Sequence, residues 1–184
     1  SSAASDVYKR QAFDLTQKEI DTLAVGFSEV IVGRGHDQKF DSGSTGASVV
    51  TVGDASFRAK VAIRSAAAEG AIVVNGTLST QGRMSHITLT AGGDVTVNGN
   101  VKVGRSGHVF VTSDADNNRR GAVRVAESTN ATVTTPSGDI LLIGPAVRVG
   151  GAKSFGSIVS GNSSVFIGTT ASQSTVVILN ASTK

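Results

Sequence analysis

Short runs of mainly apolar, β-branched residues recur along this chain, and each run ends in a glycine-containing turn. The clearest runs are 49–53, 71–76, 94–99, 139–144 and 164–168. Alternation of apolar and polar positions with a period of two predicts strands that bury one face. Repetition of such units predicts a solenoid, because each unit can bury its apolar face only against its neighbours.

The repeat predicts an all-β fold, a parallel β-helix (β-solenoid) of about seven coils over residues 28–184. Neighbouring coils would pair in parallel about 4.8 Å apart, so seven coils would form a rod on the order of 30 Å long. An antiparallel sandwich is the alternative, since it also contains short strands joined by regular turns. Asn-Gly recurs at 75–76 and 98–99, the same point of successive units, which favours the solenoid. The predicted coils are 27–47, 48–70, 71–93, 94–121, 122–138, 139–162 and 163–184.

The alternation also assigns side chains to the interior or to the surface. We expect Val74, Val97, Ile143 and Ile167 to form one aliphatic ladder in the core, with Thr96 pointing outward. Further predicted interior residues are Ile87, Leu89, Val95, Val101, Val103, Val109 and Val111. Further predicted outward residues are Thr51, Thr88, Lys102, Arg124 and Arg148.

Residues 14–27 have a different period, which predicts a short amphipathic helix. Thr16 followed by Glu19 is typical of a capping box. We expect this helix to cover the open end of the stack, where unpaired strand edges would otherwise recruit another chain. The apolar residues at helical spacing are Leu15, Ile20, Leu23 and Phe27.

Composition narrows the class of protein. The chain has 184 residues, 4% aromatic residues and no cysteine, so a disulfide framework and a thiolate metal site are excluded. The net charge of +3 permits contact with an anionic surface without requiring it, and we expect no nucleic-acid partner. No stretch is long and apolar enough to suggest membrane insertion. Residues 1–13 are small and polar, which predicts a flexible arm.

The loop at 114–121 is the candidate metal site. Asp114, Asp116 and Asn118 alternate as oxygen ligands of calcium do, but an EF-hand loop requires glycine at its sixth position and a carboxylate at its twelfth. The chain has Arg119 and Val125 at those positions. We therefore expect a polar surface loop and no cofactor, with calcium as the alternative.

Catalytic motifs are few. The chain contains no Gly-x-Ser-x-Gly sequence, and of its histidines His36, His86 and His108, the last two open successive predicted strands and are expected to stack. Two histidines without a third ligand are weak evidence for a metal site. The predicted outward side chains are hydroxylated or basic and most acids lie in turns, so we expect a non-enzymatic protein. The alternative is a carbohydrate-binding or carbohydrate-cleaving β-helix similar to tailspikes or polysaccharide lyases.

Glycan acceptors are also present as sequence patterns. Asn-x-Ser/Thr occurs at Asn75, Asn130, Asn162 and Asn180. Whether any of them carries a glycan depends on the source of the protein, and Asn75 is already explained by its Asn-Gly turn.

The segment LTQKEIDTLAVGFSEVIVGR at residues 15–34 resembles a unit of filamentous-haemagglutinin-like, repeat-rich bacterial surface adhesins. In those proteins a similar helix, then Gly-Phe, an Ile/Val strand and Gly-Arg open a block of right-handed parallel β-helix. The resemblance over residues 35–184 is compositional. The resemblance as a whole implies a right-handed β-helix at the cell surface or in an extracellular fibre. We also expect surface glycans as ligands.

The last strand-like run suggests how such a block would continue. Residues 174–179 have strong β propensity and no helix pattern follows them in the printed sequence. An uncovered coil offers backbone donors, acceptors and an apolar cross-section. We expect the adjacent block of a larger protein, or another copy joined head to tail, to cover it. The predicted contact residues are Thr175, Val176, Val177, Ile178 and Leu179.

Overall fold

The computed structural model describes residues 15–23, 26–33, 49–65, 67–169 and 175–178. In this part of the chain one helix, α1 (Gln17–Thr22), precedes a series of short strands. The strands are β1 (Glu29–Gly33), β2 (Val49–Val52), β3 (Ala55–Phe57), β4 (Lys60–Ser65), β5 (Ala71–Val74), β6 (Leu78–Thr80), β7 (Ile87–Ala91), β8 (Val95–Val97), β9 (Val101–Lys102), β10 (Val109–Thr112), β11 (Val123–Val125), β12 (Ala131–Thr135), β13 (Ile140–Gly144), β14 (Ala146–Val149), β15 (Gly156–Ser160), β16 (Val165–Thr169) and β17 (Thr175–Ile178).

The strands form three parallel sheets that run along one axis. The first sheet has the order β1-β4-β7-β10-β13-β16, the second β2-β5-β8-β11-β14-β17, and the third β3-β6-β9-β12-β15. Each turn of the chain therefore adds one strand to every sheet. The predicted parallel β-solenoid is confirmed, and the antiparallel sandwich is wrong.

The number of turns differs from the prediction. The described strands make five complete turns and two strands of a sixth, instead of seven coils. The predicted coil 122–138 holds β11 and β12 alone, and β13 completes that turn by adding to the first sheet. The predicted coil 27–47 contributes only β1 among the described residues. Glycine occurs at most of the described corners, where the chain passes from one sheet to the next, so a corner can be taken for the boundary of a coil.

The core is a narrow column of aliphatic side chains. In the second sheet Ile72, Val95, Val123 and Val147 stack in register, and each is 0% exposed. All seven further interior residues predicted from the alternation are buried. All the predicted outward residues are half-buried or exposed. The period-two assignment is therefore confirmed for these strands.

One predicted ladder is wrong. Val74 and Val97 pair inside the second sheet, but Ile167 faces inward in the first sheet, opposite Leu142. Ile143 faces outward and is half-buried. The physical reason is that the run at 140–143 contains four consecutive apolar residues, so alternation alone does not set its phase.

The helix is shorter than predicted. It covers Gln17–Thr22 instead of 14–27, because the backbone at Leu23 turns to an extended conformation with ψ of 90°. No helix in the described ranges has the length and apolar character needed to cross a membrane.

Candidate functional site

The N-terminal end of the solenoid is covered by α1. The predicted capping box is present: the backbone N–H of Thr16 donates to Glu19 Oε2 at 2.8 Å, and Glu19 N–H donates to Thr16 Oγ1 at 3.4 Å. The first of these bonds lowers the pKa of Glu19. Ile20 packs into the core and is 6% exposed.

A polar residue of α1 satisfies the edge of a sheet. β3 ends the third sheet in the described part of the chain. The Gln17 amide accepts the Ser56 backbone N–H at 2.8 Å and donates to the Ser56 carbonyl at 3.0 Å. A side chain thus makes both hydrogen bonds that a neighbouring strand would make.

The four apolar residues predicted for the cap differ in how far their side chains are buried. Ile20 is buried and Leu15 is half-buried against the core, whereas Leu23 and Phe27 are 36% and 60% exposed. A cavity of about 270 Å³ remains between α1 and the first turn, with Leu15, Ile20 and Phe57 in its wall. The helix therefore covers this end without filling it.

The other end of the described solenoid is open. Val165 on β16 faces inward opposite Ile140, yet Val165 is 40% exposed and Ile140 is 0% exposed. Of the predicted assembly residues, Thr175, Val176, Val177 and Ile178 form β17, which pairs with β14. Their side chains, and Leu179 as a whole, lie outside the described residues.

Carboxylates on the outer face of the second sheet pair with arginines. Arg124 contacts Asp94, and its Nε lies 3.3 Å from Glu127 Oε2. Arg148 Nη1 lies 3.5 Å from Glu127 Oε1. These acids are therefore partners of cations on adjacent turns, which is a structural use of their charge.

His86 and His108 lie side by side as predicted, with ring centroids 4.9 Å apart and planes tilted by 47°. His86 Nδ1 accepts the His108 backbone N–H at 3.0 Å, and His108 Nδ1 accepts that of Asp139 at 2.9 Å. Burial makes the largest contribution to lowering the pKa of His86, and the nearby His108 and Lys60 lower it further. His36 lies outside the described residues.

This arrangement opposes metal binding by the pair. A neutral imidazole whose Nδ1 accepts a hydrogen bond carries its proton on Nε2. Neither nitrogen of His86 or His108 can then bind a metal unless the bond to the next turn breaks. Within the described ranges, no three histidine, aspartate or glutamate side chains lie close enough to hold a metal ion.

The loop at 114–121 is held by its own hydrogen bonds. Asp114 is 2% exposed, and its Oδ1 accepts the Arg119 backbone N–H at 2.8 Å. Burial raises the pKa of Asp114. The Asn118 amide donates to Asp116 Oδ2 at 2.7 Å, while Asp116 Oδ1 is buried without a partner among the described residues. An NH₂ group directed at this carboxylate competes with a cation.

Two of the glycan acceptor sites take part in contacts between turns. Asn75 Oδ1 accepts from the Asn98 amide at 3.1 Å, and Asn130 Oδ1 accepts the Phe155 backbone N–H at 2.8 Å. Asn162 is exposed. Asn180 lies outside the described residues.

Comparisons with known proteins give this geometry no family. No protein-family model, curated protein or solved structure matched the chain. The resemblance of residues 15–34 to surface adhesins therefore stays a prediction, whereas the solenoid rests on the observed sheets.

Proposed function

We propose that this chain is a non-enzymatic structural unit of an extracellular surface adhesin or a self-assembling filament. The open cross-section at β16 carries the proposal, because Val165 is exposed at a position that is buried one turn earlier. Apolar side chains and an unpaired strand edge are both stabilised when another layer of strands covers them.

Two kinds of partner would supply the covering layer, and each would present a turn of strands to the open end. In a long adhesin it is the next block of the same protein. In an isolated unit it is a second copy joined head to tail, and such a contact does not close, so it propagates into a filament. Residues 175–179 and the exposed edge at Val165 are the proposed contact.

The charges of the outer surface support a structural role. Glycoside cleavage uses two carboxylates placed on either side of a bond. In this chain Asp94 and Glu127 pair with arginines, and Asp139 accepts the Ser164 backbone N–H at 3.1 Å. These carboxylates hold adjacent turns together.

Electron microscopy of the concentrated protein tests this proposal. We expect filaments whose axis follows the solenoid axis. Val165→Lys places a charge in the contact and should abolish them. Phe166→Lys is the matched control, because Phe166 is 54% exposed on the adjacent outward position and should leave the filaments intact.

Three results would contradict assembly through this end of the solenoid. They are dispersed monomers, closed dimers joined side by side, and normal filaments from a Val177→Lys, Leu179→Lys variant. Thermal melting of each variant, followed by circular dichroism, separates a lost contact from a lost fold.

A further inference from the structure

The corner between the third and first sheets stacks the same residues in consecutive turns. Gly82-Arg83 and Gly104-Arg105 occupy the same point of two turns. A Cβ atom added to Gly104 would lie 2.4 Å from the Gly82 carbonyl oxygen, and one added to Gly82 would lie 2.6 Å from that of Arg58. These glycines allow the turns to meet, so the adjoining arginines repeat along the axis.

Three cations lie at this corner, Arg58, Arg83 and Arg105, and Lys102 precedes it as the last residue of β9. We name these four the basic column. All four are exposed. None of them has a carboxylate partner within 4.0 Å in the described part of the chain. The column therefore presents positive charge that the described carboxylates do not neutralise.

Cations around the column lie near carboxylates, so in this region the unpaired positive charge is confined to the column. On the neighbouring sheet Arg124 and Arg148 are paired with carboxylates. Lys60, beside the column, lies opposite Glu29 across the β1–β4 pair. One turn beyond Arg105 the corner carries Asp139, 3.4 Å from His108. The uncompensated cations thus occupy three consecutive turns.

The spacing of the column indicates the kind of ligand. Cations in adjacent turns repeat at the strand spacing of about 4.8 Å. An extended polysaccharide advances by a similar distance for each pyranose, and a polyuronate carries one carboxylate on each sugar. We infer that the basic column binds an acidic, uronate-rich polysaccharide laid along the solenoid axis.

Neutral donors flank the column. His86 and His108 use Nδ1 to accept backbone N–H groups, so their Nε2–H groups remain donors suited to sugar hydroxyls or carboxylates. Ser106, exposed on the same corner, adds a hydroxyl. Cations with neutral donors beside them match a ligand that bears both carboxylates and hydroxyls.

The aromatic residues favour this ligand over a nucleic acid. Single-stranded nucleic acids bind through bases stacked on open aromatic faces. The aromatic residue nearest these histidines is Phe110, whose ring is stacked on His108 with centroids 5.8 Å apart and planes 15° apart. His86 lies against the same ring. In the described part of the chain this corner offers no free aromatic platform.

Titration of the full chain with fluorescent polygalacturonate oligosaccharides tests the inference. At low salt, Arg83→Gln with Arg105→Gln should weaken binding about tenfold or more. Arg119→Gln with Lys153→Gln removes the same charge from exposed sites off the column. That control should stay within about twofold of the parent, and added salt should weaken parental binding.

Three outcomes overturn the inference: an equal loss in both double variants, equal binding of neutral dextran, and tighter binding of an oligo-dT strand. The column lies on the side of the solenoid, so binding does not require end-to-end assembly. A parent chain that forms filaments but does not bind polygalacturonate therefore rejects the ligand and leaves the proposed structural role in place.

Discussion

Side chains at the corners accept backbone N–H groups from the next turn. Parallel strand pairing stops at each corner, and a buried N–H left there without an acceptor is costly. Asparagine, aspartate and histidine supply that acceptor repeatedly in this chain. Besides His86 and His108, the acceptors and the residues that donate to them are Asp54 and Thr77, Asp94 and Ala122, Asn100 and Thr132, Asn130 and Phe155, and Asp139 and Ser164.

Val97→Asp should destabilise the fold by at least about 3 kcal/mol, because it places an unpaired charge in a dry core. Val97 is 0% exposed. Thr96→Asp is the matched control, since Thr96 faces outward in register with Arg124, and should cost less than about 1 kcal/mol. Urea unfolding measures both. Equal loss in the two variants would contradict the inward and outward assignment.

Acid should weaken the contact made by His86. Its pKa lies below the ordinary 6.5, so the unfolded chain takes up a proton first as the pH falls. Stability should therefore decrease below pH 6.5 until folded His86 is itself protonated. Lys60 and His108 add to this effect and Glu29 opposes it.

His86→Asn is the control for this pH dependence. The asparagine Oδ1 accepts the same backbone N–H but does not titrate. The free energy of unfolding, measured from pH 8 to pH 5, should fall less steeply in the variant than in the parent. Identical slopes would show that His86 does not contribute.

At the scale of elements, α1 illustrates how a short helix serves a solenoid. A helix of six residues is marginal in isolation. Here the capping box fixes its start, Ile20 is buried, and Gln17 completes the edge of the third sheet. Its stability comes from covering the first turn.

Gln17→Ala should cost about 1–3 kcal/mol, because it leaves both backbone groups of Ser56 without their partners. Lys18→Ala removes an exposed neighbour and should change the melting temperature little.

Deletion of residues 14–27 should make the chain aggregate or stack end to end. Light scattering measures this outcome, and a soluble monomer of unchanged stability would show that the helix is not a cap.

The loop at 114–121 should not respond to calcium. Its carboxylates already accept hydrogen bonds from Arg119 and Asn118. Millimolar calcium should therefore leave the melting temperature unchanged. A rise that Asp116→Ala abolishes would identify a calcium site through linkage.

At the scale of the whole molecule, each turn is covered by the next. The interior is filled mainly by valine, isoleucine and leucine in register, and among the described residues Phe57, beside α1, is the one buried aromatic side chain. Stability in such a stack is a sum over neighbouring turns, and its ends are the places where contacts are incomplete. The exposed Val165 at one end and the cavity under α1 at the other fit this expectation.

The sequence by itself determined the fold class and most of the inward positions. Alternating β-branched runs make one face apolar, and a chain of such runs buries that face only by stacking. The capping box at Thr16 and Glu19 is likewise local, which explains why the helix start could be predicted. Patterns confined to a few neighbouring residues were sufficient for these features.

Tertiary structure alone decided the phase of Ile140–Ile143, the number of turns, the role of Gln17 and the basic column. Gln17 and Ser56 are 39 residues apart, and Arg58, Arg83 and Arg105 meet only after three turns have stacked. Such contacts depend on the register between turns, which in turn depends on loops of unequal length. Local alternation carries no information on that register, so surfaces that combine residues of several turns form only when the turns pair.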